Sequence, residues 1–273
     1  MIRLVINADD LGLHPRIDEG IFAAHTDGVV TSATVLATGP TAPDAIRRAV
    51  HARLPLGLHL CLTTHLSPAA PARDVRWLAP GGRFRRNWAE LSAAWLARLI
   101  PAEEIVLEFR AQMARALALG AQIDHLDTHQ HLHLLPGLTS IVEVLAAEHK
   151  LPVRWPSERP SARWLAHPGS AMKSAILGTL ARLKEPRGVK RVRALGMFES
   201  GRLTEKRLLR LIEKLPDGDT EICAHPGLEP GRVAQDPDWR YGWEQELAAV
   251  LSPRVREAIA RRGIQLVSYG DLN

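Results

Sequence analysis

The chain has 273 residues and a mass of 30.1 kDa, with 46% hydrophobic and 24% charged residues. This is the composition of an ordinary globular protein with a sizeable core, and it excludes a disordered chain, a collagen and a small disulfide scaffold. With 35 basic and 30 acidic residues, the formal net charge is +5. That excess is too small for a nucleic-acid-binding arm, so we expect no nucleic-acid partner.

The apolar and amphipathic segments alternate along the chain, which is typical of a parallel sheet or barrel wrapped in helices. We predict strands over residues 3–8, 29–36, 56–62, 123–126, 153–155, 221–224 and 264–268. We predict helices over residues 15–28, 43–53, 136–150, 204–215 and 252–262, and further helices from residue 88 and between residues 101 and 120. Residues 63–87 are too long for a routine connection, which indicates a functional loop. We see no linker or repeat, so we expect an α/β barrel in one domain over residues 1–273.

The two cysteines and the first residues bear on the compartment. Cys61 and Cys223 are far apart and form no Cys-x-x-Cys motif, so we expect neither a disulfide framework nor a thiolate zinc site, and a reducing environment. The first apolar run is too short for a signal peptide, and no run of about 18 apolar residues occurs. We therefore expect a cytoplasmic protein whose membrane contact is at most peripheral, at the inner membrane surface.

Polar clusters follow the predicted strands, at the carboxyl ends where a barrel builds its active site. Asp9 and Asp10 follow the first strand, and two adjacent carboxylates repel each other unless a cation or a proton is shared between them. The alternative is a pair of loop aspartates that cap the next helix. His59 lies within an apolar strand, where a core histidine bonded to a carbonyl is the alternative. His225 follows the strand at 221–224 and is held by a Pro-Gly turn, where it could also lack any role.

The densest cluster follows Asp124, where polar side chains that bind metals recur at every second position. These side chains are His125, Asp127, His129, His131 and His133. If the segment stays extended, all of them lie on one side, which suits imidazole and carboxylate ligands around a divalent metal. Since they cannot all bind one ion, the later ones are also candidates for helix caps, substrate contacts or hydrogen-bond partners of the ligands.

One aspartate and two histidines leave a divalent ion with open positions for water and a substrate carbonyl, which is the layout for metal-assisted hydrolysis. A second carboxylate could take the proton of the water, and a histidine opposite could protonate the leaving group. The ligand types suit Mg or Zn, and also Mn or Co. Two alternatives remain: a metal-dependent phosphoesterase, and a non-enzymatic module that binds glycans or anionic lipids.

A basic stretch and several tryptophans bear on the substrate. The stretch over residues 182–193 is either a solvated loop and helix end or a docking surface for an anionic membrane or a lipid-linked sugar. Four tryptophans near predicted loops either stack on sugar rings or fill the core: Trp77, Trp155, Trp239 and Trp243.

Five motifs occur in order along nearly the whole chain. They are Asn-Ala-Asp-Asp-Leu-Gly at 7–12, Gly-Val-Val-Thr-Ser-Ala-Thr at 28–34, Gly-Leu-His-Leu at 57–60, His-Leu-Asp-Thr-His-Gln-His-Leu-His at 125–133 and Ala-His-Pro-Gly at 224–227. This ordered set resembles the YdjC or ChbG family of carbohydrate deacetylases, and within it the hopanoid-biosynthesis-associated members called HpnK. The resemblance implies an irregular (β/α) barrel of the glycoside hydrolase/deacetylase type, with its active site at the C-terminal rim of the strands. It also implies a divalent-metal amidase that removes the N-acetyl group from an amino sugar, either a chitooligosaccharide or lipid-linked N-acetylglucosamine.

The resemblance also implies residue roles. Asp9 matches the base that acts on metal-bound water, and His225 matches the acid that protonates the departing amine. Arg154 stands where hopanoid-type relatives carry an arginine, which makes it a candidate for orienting a carboxylate or a sugar oxygen. A homodimer is the commonest soluble assembly and is the expected one. Three residues match the family's metal ligands: Asp10, His59 and His129.

Overall fold

A closed parallel barrel forms the centre of the computed structural model, which describes residues 1–158, 188–231 and 241–272 together with residue 179. The strand order is β2-β3-β4-β5-β6-β7-β1-β8, and an additional pairing between β1 and β2 closes seven strands into the barrel. This confirms the predicted α/β barrel. The strands are β1 (Ile2–Leu11), β2 (Ser32–Val35), β3 (Leu56–Leu60), β4 (Ile123–Thr128), β5 (Val153–Pro156), β6 (Arg191–Leu195), β7 (Gly218–Ala224) and β8 (Gln265–Leu266).

The described helices lie outside the barrel and mostly alternate with its strands. They are α1 (Pro15–Thr26), α2 (Ala42–Ala52), α3 (Trp88–Leu96), α4 (Ala102–Ala118), α5 (Leu138–His149), α6 (Glu205–Glu213), α7 (Trp243–Leu251) and α8 (Pro253–Arg261). Among the residues that the structure describes, no helix is both long and apolar enough to cross a membrane.

Successive side chains of a strand point to opposite faces, so alternate buried residues of β1 belong to two different clusters. Leu4, Ile6 and Ala8 of β1 belong to the large apolar core that packs against the helices. Val5 faces the other way, into a small cluster that also holds Tyr269. Inside the barrel, this apolar cluster is followed by buried polar side chains toward the carboxyl ends of the strands. The residues of the site therefore lie on an apolar layer.

Two elements were not predicted from the sequence. β6 has only three apolar residues, Val192, Ala194 and Leu195, between basic neighbours, and α7 follows a segment outside the described residues. The end of the basic stretch is therefore a strand rather than a loop, and Arg191 lies 3.6 Å over the ring of Trp155 and 2.5 Å from Glu143. The earlier part of that stretch, residues 182–187, lies outside the described residues.

Several predicted boundaries were too wide. The second strand was expected over 29–36, but β2 is Ser32–Val35 because the N–H groups of Val29 and Val30 bond to the carbonyls of Val250 and Ala24. These two residues therefore pair with helices instead of the sheet.

Candidate active site

Asp9 and Asp10 are adjacent in sequence, yet both face the same cluster of side chains. In a regular strand, successive side chains point to opposite faces. Here Asp10 adopts a left-handed φ of 70°, and the register between β1 and β2 shifts between Ala8 and Leu11. This irregularity turns Asp10 back toward the site. A non-glycine residue in this conformation is strained, which is common at functional sites.

Asp10, His59 and His129 form a compact group of buried ligand atoms. The Oδ1 of Asp10 lies 3.0 Å from Nδ1 of His129 and 3.5 Å from Nε2 of His59, and these two nitrogens are 3.3 Å apart. Ligand atoms that surround one ion at roughly 2.0–2.2 Å lie about 3 Å apart, so the three atoms fit a single divalent cation. The predicted ligand set is therefore brought together from β1, β3 and the turn after β4.

Asp127 hydrogen-bonds to the nitrogen of His59 that faces away from Asp10. Its Oδ1 lies 2.6 Å from Nδ1 of His59, which leaves Nε2 directed at Asp10. A carboxylate that holds the far nitrogen of a metal-binding histidine fixes its tautomer and orientation. Burial by itself would lower the pKa of His59, but Asp127, with Asp9 and Asp10, raises it to about 9. In the absence of a cation, His59 is therefore protonated at neutral pH.

Arg154 lies under the site as a buried cation and makes no contact with solvent. Its guanidinium bonds to Asp9 through both terminal nitrogens, at 2.6 and 2.7 Å, and also pairs with Asp127. Glu221 accepts a hydrogen bond from its Nε at 3.0 Å and another from the hydroxyl of Tyr269. Arg154 is fully buried, and the groups it contacts are carboxylates of the site.

The carboxylate of Asp9 is held on both oxygens. Its Oδ1 accepts hydrogen bonds from Asn7 at 2.8 Å, Thr34 at 3.0 Å and Arg154, while its Oδ2 accepts from Arg154 and from the thiol of Cys223 at 3.1 Å. Burial opposes ionisation, but the charge and hydrogen bonds of Arg154 outweigh it and hold the pKa of Asp9 well below its usual range. Asp9 is therefore a fixed, ionised group beside Asp10.

His225 follows β7 and lies beside Asp9. Its Nε2 lies 3.8 Å from Oδ2 of Asp9, and its Nδ1 lies 3.6 Å from Glu246 of α7. The same Glu246 carboxylate accepts the backbone N–H of His225 at 2.6 Å. Burial lowers the pKa of His225, but Glu246 and the aspartates raise it above its ordinary value.

The histidine run stays extended only through β4, so the condition under which all its members would share one side is not met beyond Thr128. The chain forms a short 3₁₀ segment, His129–Leu134, which is kinked at Gln130 and His131, where φ is left-handed at 59° and 58°. His133 accordingly lies 2.7 Å from the hydroxyl of Thr128, and its ring is 6.4 Å from that of His131. This places His133 in the cap of the turn.

His125 lies deeper in the barrel. It stacks on Tyr269 at 3.6 Å and bonds to Asp124 at 2.6 Å. Gly57 makes room for it, because a Cβ there would lie 2.2 Å from the imidazole ring. Among the described residues, His129 is the one histidine of the run 125–133 that belongs to a group of ligand atoms close enough to share an ion. His59 of β3 belongs to the same group.

Sequence reasoning missed Glu221, Cys223 and Glu246 as members of the site. The first two could have been found, because Glu221, Cys223 and His225 are spaced by two residues and therefore share one side of β7. Glu246 carried no such signal, since it reaches His225 from a helix that was not predicted.

The loop at residues 63–87 lies beside the rim, where it follows β3. Glu108 of α4 accepts the backbone N–H groups of Ala69 and Ala70 at 2.9 Å, and Glu104 accepts those of Trp77 and Leu78. The Trp77 side chain is 57% exposed, while Trp243 is in the core and Trp155 is covered by Arg191. Trp239 lies outside the described residues.

The fold and the site together define a class of protein: a (β/α) barrel with buried metal-type ligands at the carboxyl ends of its strands. The chain belongs to the family described as "YdjC-like protein", whose model matches residues 3–261. A carbohydrate deacetylase of Brevibacillus brevis is 33% identical, over 99% of this chain and 100% of that protein. A chitooligosaccharide deacetylase of Serratia marcescens is 29% identical, over 98% of each chain.

A solved structure has the same architecture. It is the putative cellobiose-phosphate cleavage protein of Enterococcus faecalis, which is 27% identical, covers 99% of this chain and 98% of its own length, and superposes with a TM-score of 0.80. The likeness extends over the whole barrel.

Proposed function

We propose that this protein removes the N-acetyl group of an amino sugar by metal-dependent hydrolysis. The observation that carries the proposal is the compact group of ligand atoms on Asp10, His59 and His129, with the Asp9 carboxylate and the His225 imidazole next to each other beside it. Relatives along nearly the full length are named carbohydrate deacetylase and chitooligosaccharide deacetylase, which supports this reaction over others.

Asp10, His59 and His129 would hold the divalent cation, and their mixed oxygen and nitrogen donors suit Mg or Zn, and also Mn or Co. When bound, the ion would polarise the acetyl carbonyl and lower the pKa of a water molecule. Asp127 keeps His59 oriented with Nε2 toward that position.

Asp9 would accept the proton of the attacking water. Arg154 keeps its carboxylate ionised and fixes its plane, so that Oδ2 faces the side of the site where His225 lies. The protein thereby presents a base that needs no rearrangement before the reaction.

His225 would donate a proton from Nε2 to the nitrogen of the departing amine. Glu246 lies beside Nδ1, where its charge favours the imidazolium form that an acid requires. Nε2 of His225 lies 3.8 Å from Oδ2 of Asp9, so the group that would accept a proton and the group that would donate one lie next to each other beside the ligand group.

The sugar is either a chitooligosaccharide or N-acetylglucosamine linked to a lipid. Trp77 is exposed on the loop beside the rim and suits stacking on a sugar ring or contact with an apolar aglycone. We include in the proposal a homodimeric assembly and at most peripheral contact with a membrane.

The test is acetate release from a panel that runs from chitobiose to a lipid-linked glucosaminide, with the protein loaded in turn with Mg²⁺ and Zn²⁺. We expect release that stops on chelation and returns when the metal is restored. The preferred substrate identifies the sugar and its carrier. Hydrolysis of phosphoesters without acetate release from any panel member would overturn the proposal in favour of a phosphoesterase.

A further inference from the structure

A second group of buried donor atoms lies beside the first and shares no residue with it. It consists of one ligand atom from each of Asp9, Cys223 and His225, and these three atoms lie within 4.8 Å of one another. Cys223 lies 3.1 Å and His225 lies 3.8 Å from Oδ2 of Asp9. We propose that these three side chains form a binding site for a thiophilic divalent cation such as Zn²⁺ or Cd²⁺, distinct from the site of Asp10, His59 and His129.

The spacing fits such an ion. Around zinc, with bonds of roughly 2.3 Å to sulfur and 2.0–2.2 Å to nitrogen and oxygen, neighbouring donor atoms lie about 3–4 Å apart. The thiol hydrogen now lies between Sγ and Oδ2. On binding, the ion takes the place of that hydrogen: the S–H bond breaks, an S–metal bond forms, and one proton leaves for the solvent.

The charges around the site favour a further cation. Three buried carboxyl groups pair with the guanidinium of Arg154, those of Asp9, Asp127 and Glu221, and a fourth buried carboxyl group, that of Asp10, belongs to the neighbouring ligand group. A divalent ion on the Asp10 group would still leave excess negative charge, and Glu246 adds another carboxylate beside His225. This excess is balanced either by a proton on His225 or by a second cation.

A third group of donor atoms, on Asp9, His59 and Asp127, is equally compact, but the guanidinium of Arg154 already neutralises it. One terminal nitrogen of Arg154 contacts both Asp9 and Asp127, so the guanidinium fills the position that an ion would take. In the group of Cys223, Arg154 bonds to Asp9 alone. The thiol and the imidazole therefore remain available to a metal.

An ion at this site would occupy Oδ2 of Asp9 and Nε2 of His225 at once. On the proposed function, these atoms accept and donate the two protons of the reaction, so the ion would inhibit hydrolysis. Excess Zn²⁺ would then act against the activity that a first metal ion supports. This consequence rests on the proposed function, whereas binding at the site does not.

The test is a Cd²⁺ titration of the Mg²⁺-loaded protein, followed by the ultraviolet thiolate-to-cadmium absorption. Because the Asp10 group has no thiol, a Cd²⁺ ion bound there gives no such absorption. We expect one Cd²⁺ per chain to produce the absorption, Cys223→Ser to abolish it, and His225→Gln to weaken the binding while the absorption remains. Cys61→Ser is the matched control, since Cys61 is the other cysteine of the chain and is buried beside Thr64.

Absorption that is absent from the wild type, that survives Cys223→Ser, or that disappears in Cys61→Ser would overturn the proposal. The circular dichroism of each variant establishes that it is folded, and His225→Gln provides an independent variant if Cys223→Ser does not fold. The two proposals fail separately: Cd²⁺ absorption in a protein that releases no acetate overturns the deacetylase alone, and acetate release without the absorption overturns the second site alone.

Discussion

Asp9 connects the catalytic chemistry to the buried charge network, because its carboxylate accepts hydrogen bonds from Asn7, Thr34, Arg154 and Cys223. A carboxylate held in this way is not free to rotate toward the Asp10 group. Its proposed role as the base is therefore separable from metal binding, although it is the immediate neighbour of Asp10.

Asp9→Asn is expected to retain the metal and to lose turnover by roughly 10²–10⁴-fold, the usual contribution of a general base. His59→Ala and His129→Ala are expected to lose both the metal and the activity, because each removes a ligand. Calorimetric titration with the metal and measurement of acetate release separate the two outcomes. Wild-type metal affinity in both histidine variants would contradict the ligand assignment.

His59 makes the stability of the metal-free protein depend on pH. Its pKa is raised to about 9 in the folded chain, and in the unfolded chain it is about 6.5. A pKa that is higher in the folded state contributes stability that is fully present below pH 6.5 and is lost as the pH rises through 9. The loss is on the order of 3 kcal/mol.

Urea unfolding of the chelated protein at pH 6 and pH 9.5 measures this loss. His59→Gln is the matched variant and is expected to lose much less, because its amide does not titrate. The metal-saturated protein is also expected to lose less, because a ligating histidine is neutral at both values. Equal stability of the chelated wild type at the two pH values would show that His59 does not gain its proton on folding.

The helix α1 and the turn after β7 are in such close contact that the position of His225 depends on a glycine. A Cβ on Gly20 would lie 2.4 Å from the Cα of Gly227, and backbone atoms cannot rotate away. The Pro-Gly turn that follows His225 therefore rests directly on the helix. A helix that is far from His225 in the sequence thus helps to set the distance between His225 and Asp9.

Gly20→Ala is expected to displace this turn, destabilise the protein by about 1–3 kcal/mol and lower kcat while leaving metal affinity unchanged. Glu19→Ala, an exposed change on the same helix, is the control and is expected to have little effect. Unfolding curves and steady-state kinetics of both variants check this. Wild-type stability and kcat in Gly20→Ala would mean that the contact is looser than the structure indicates.

β1 closes the barrel and joins its two halves. It pairs with β7 from Ile2 to Ala8, and its other edge pairs with β8 near the start and with β2 near the end. The α-amino group of Met1 also bonds to Asp217. Since each half needs β1 to satisfy the backbone of its edge strand, we expect the barrel to unfold as one unit.

For the whole molecule we predict a single cooperative unfolding transition, as expected for one domain over residues 1–273. Tryptophan fluorescence and far-ultraviolet circular dichroism should give coincident urea curves. Two separated transitions would show that parts of the chain fold independently.

The alternation of apolar and amphipathic segments and the residues after each strand were enough to predict the barrel and the rim of the site, whereas the ligand set Asp10, His59 and His129 was implied by the family resemblance and stays a prediction. The barrel and the rim depend on local chemistry, since an apolar strand that ends in a carboxylate or an imidazole carries its own signal. β6 could not be predicted, because only three of its residues are apolar, and its burial comes from neighbours distant in sequence.

What the amino-acid order determined by itself was the set of strands that end in metal-type side chains, and therefore the rim on which the site is built. Only the tertiary structure decided which of these side chains meet. The left-handed turns at Asp10 and His131 select the ligand group, Arg154 reaches Asp9 across the barrel, and Cys223 and Glu246 join the site. The reason is physical: the energy of a buried charge depends on every neighbour within a few ångströms, and those neighbours lie far apart in the sequence.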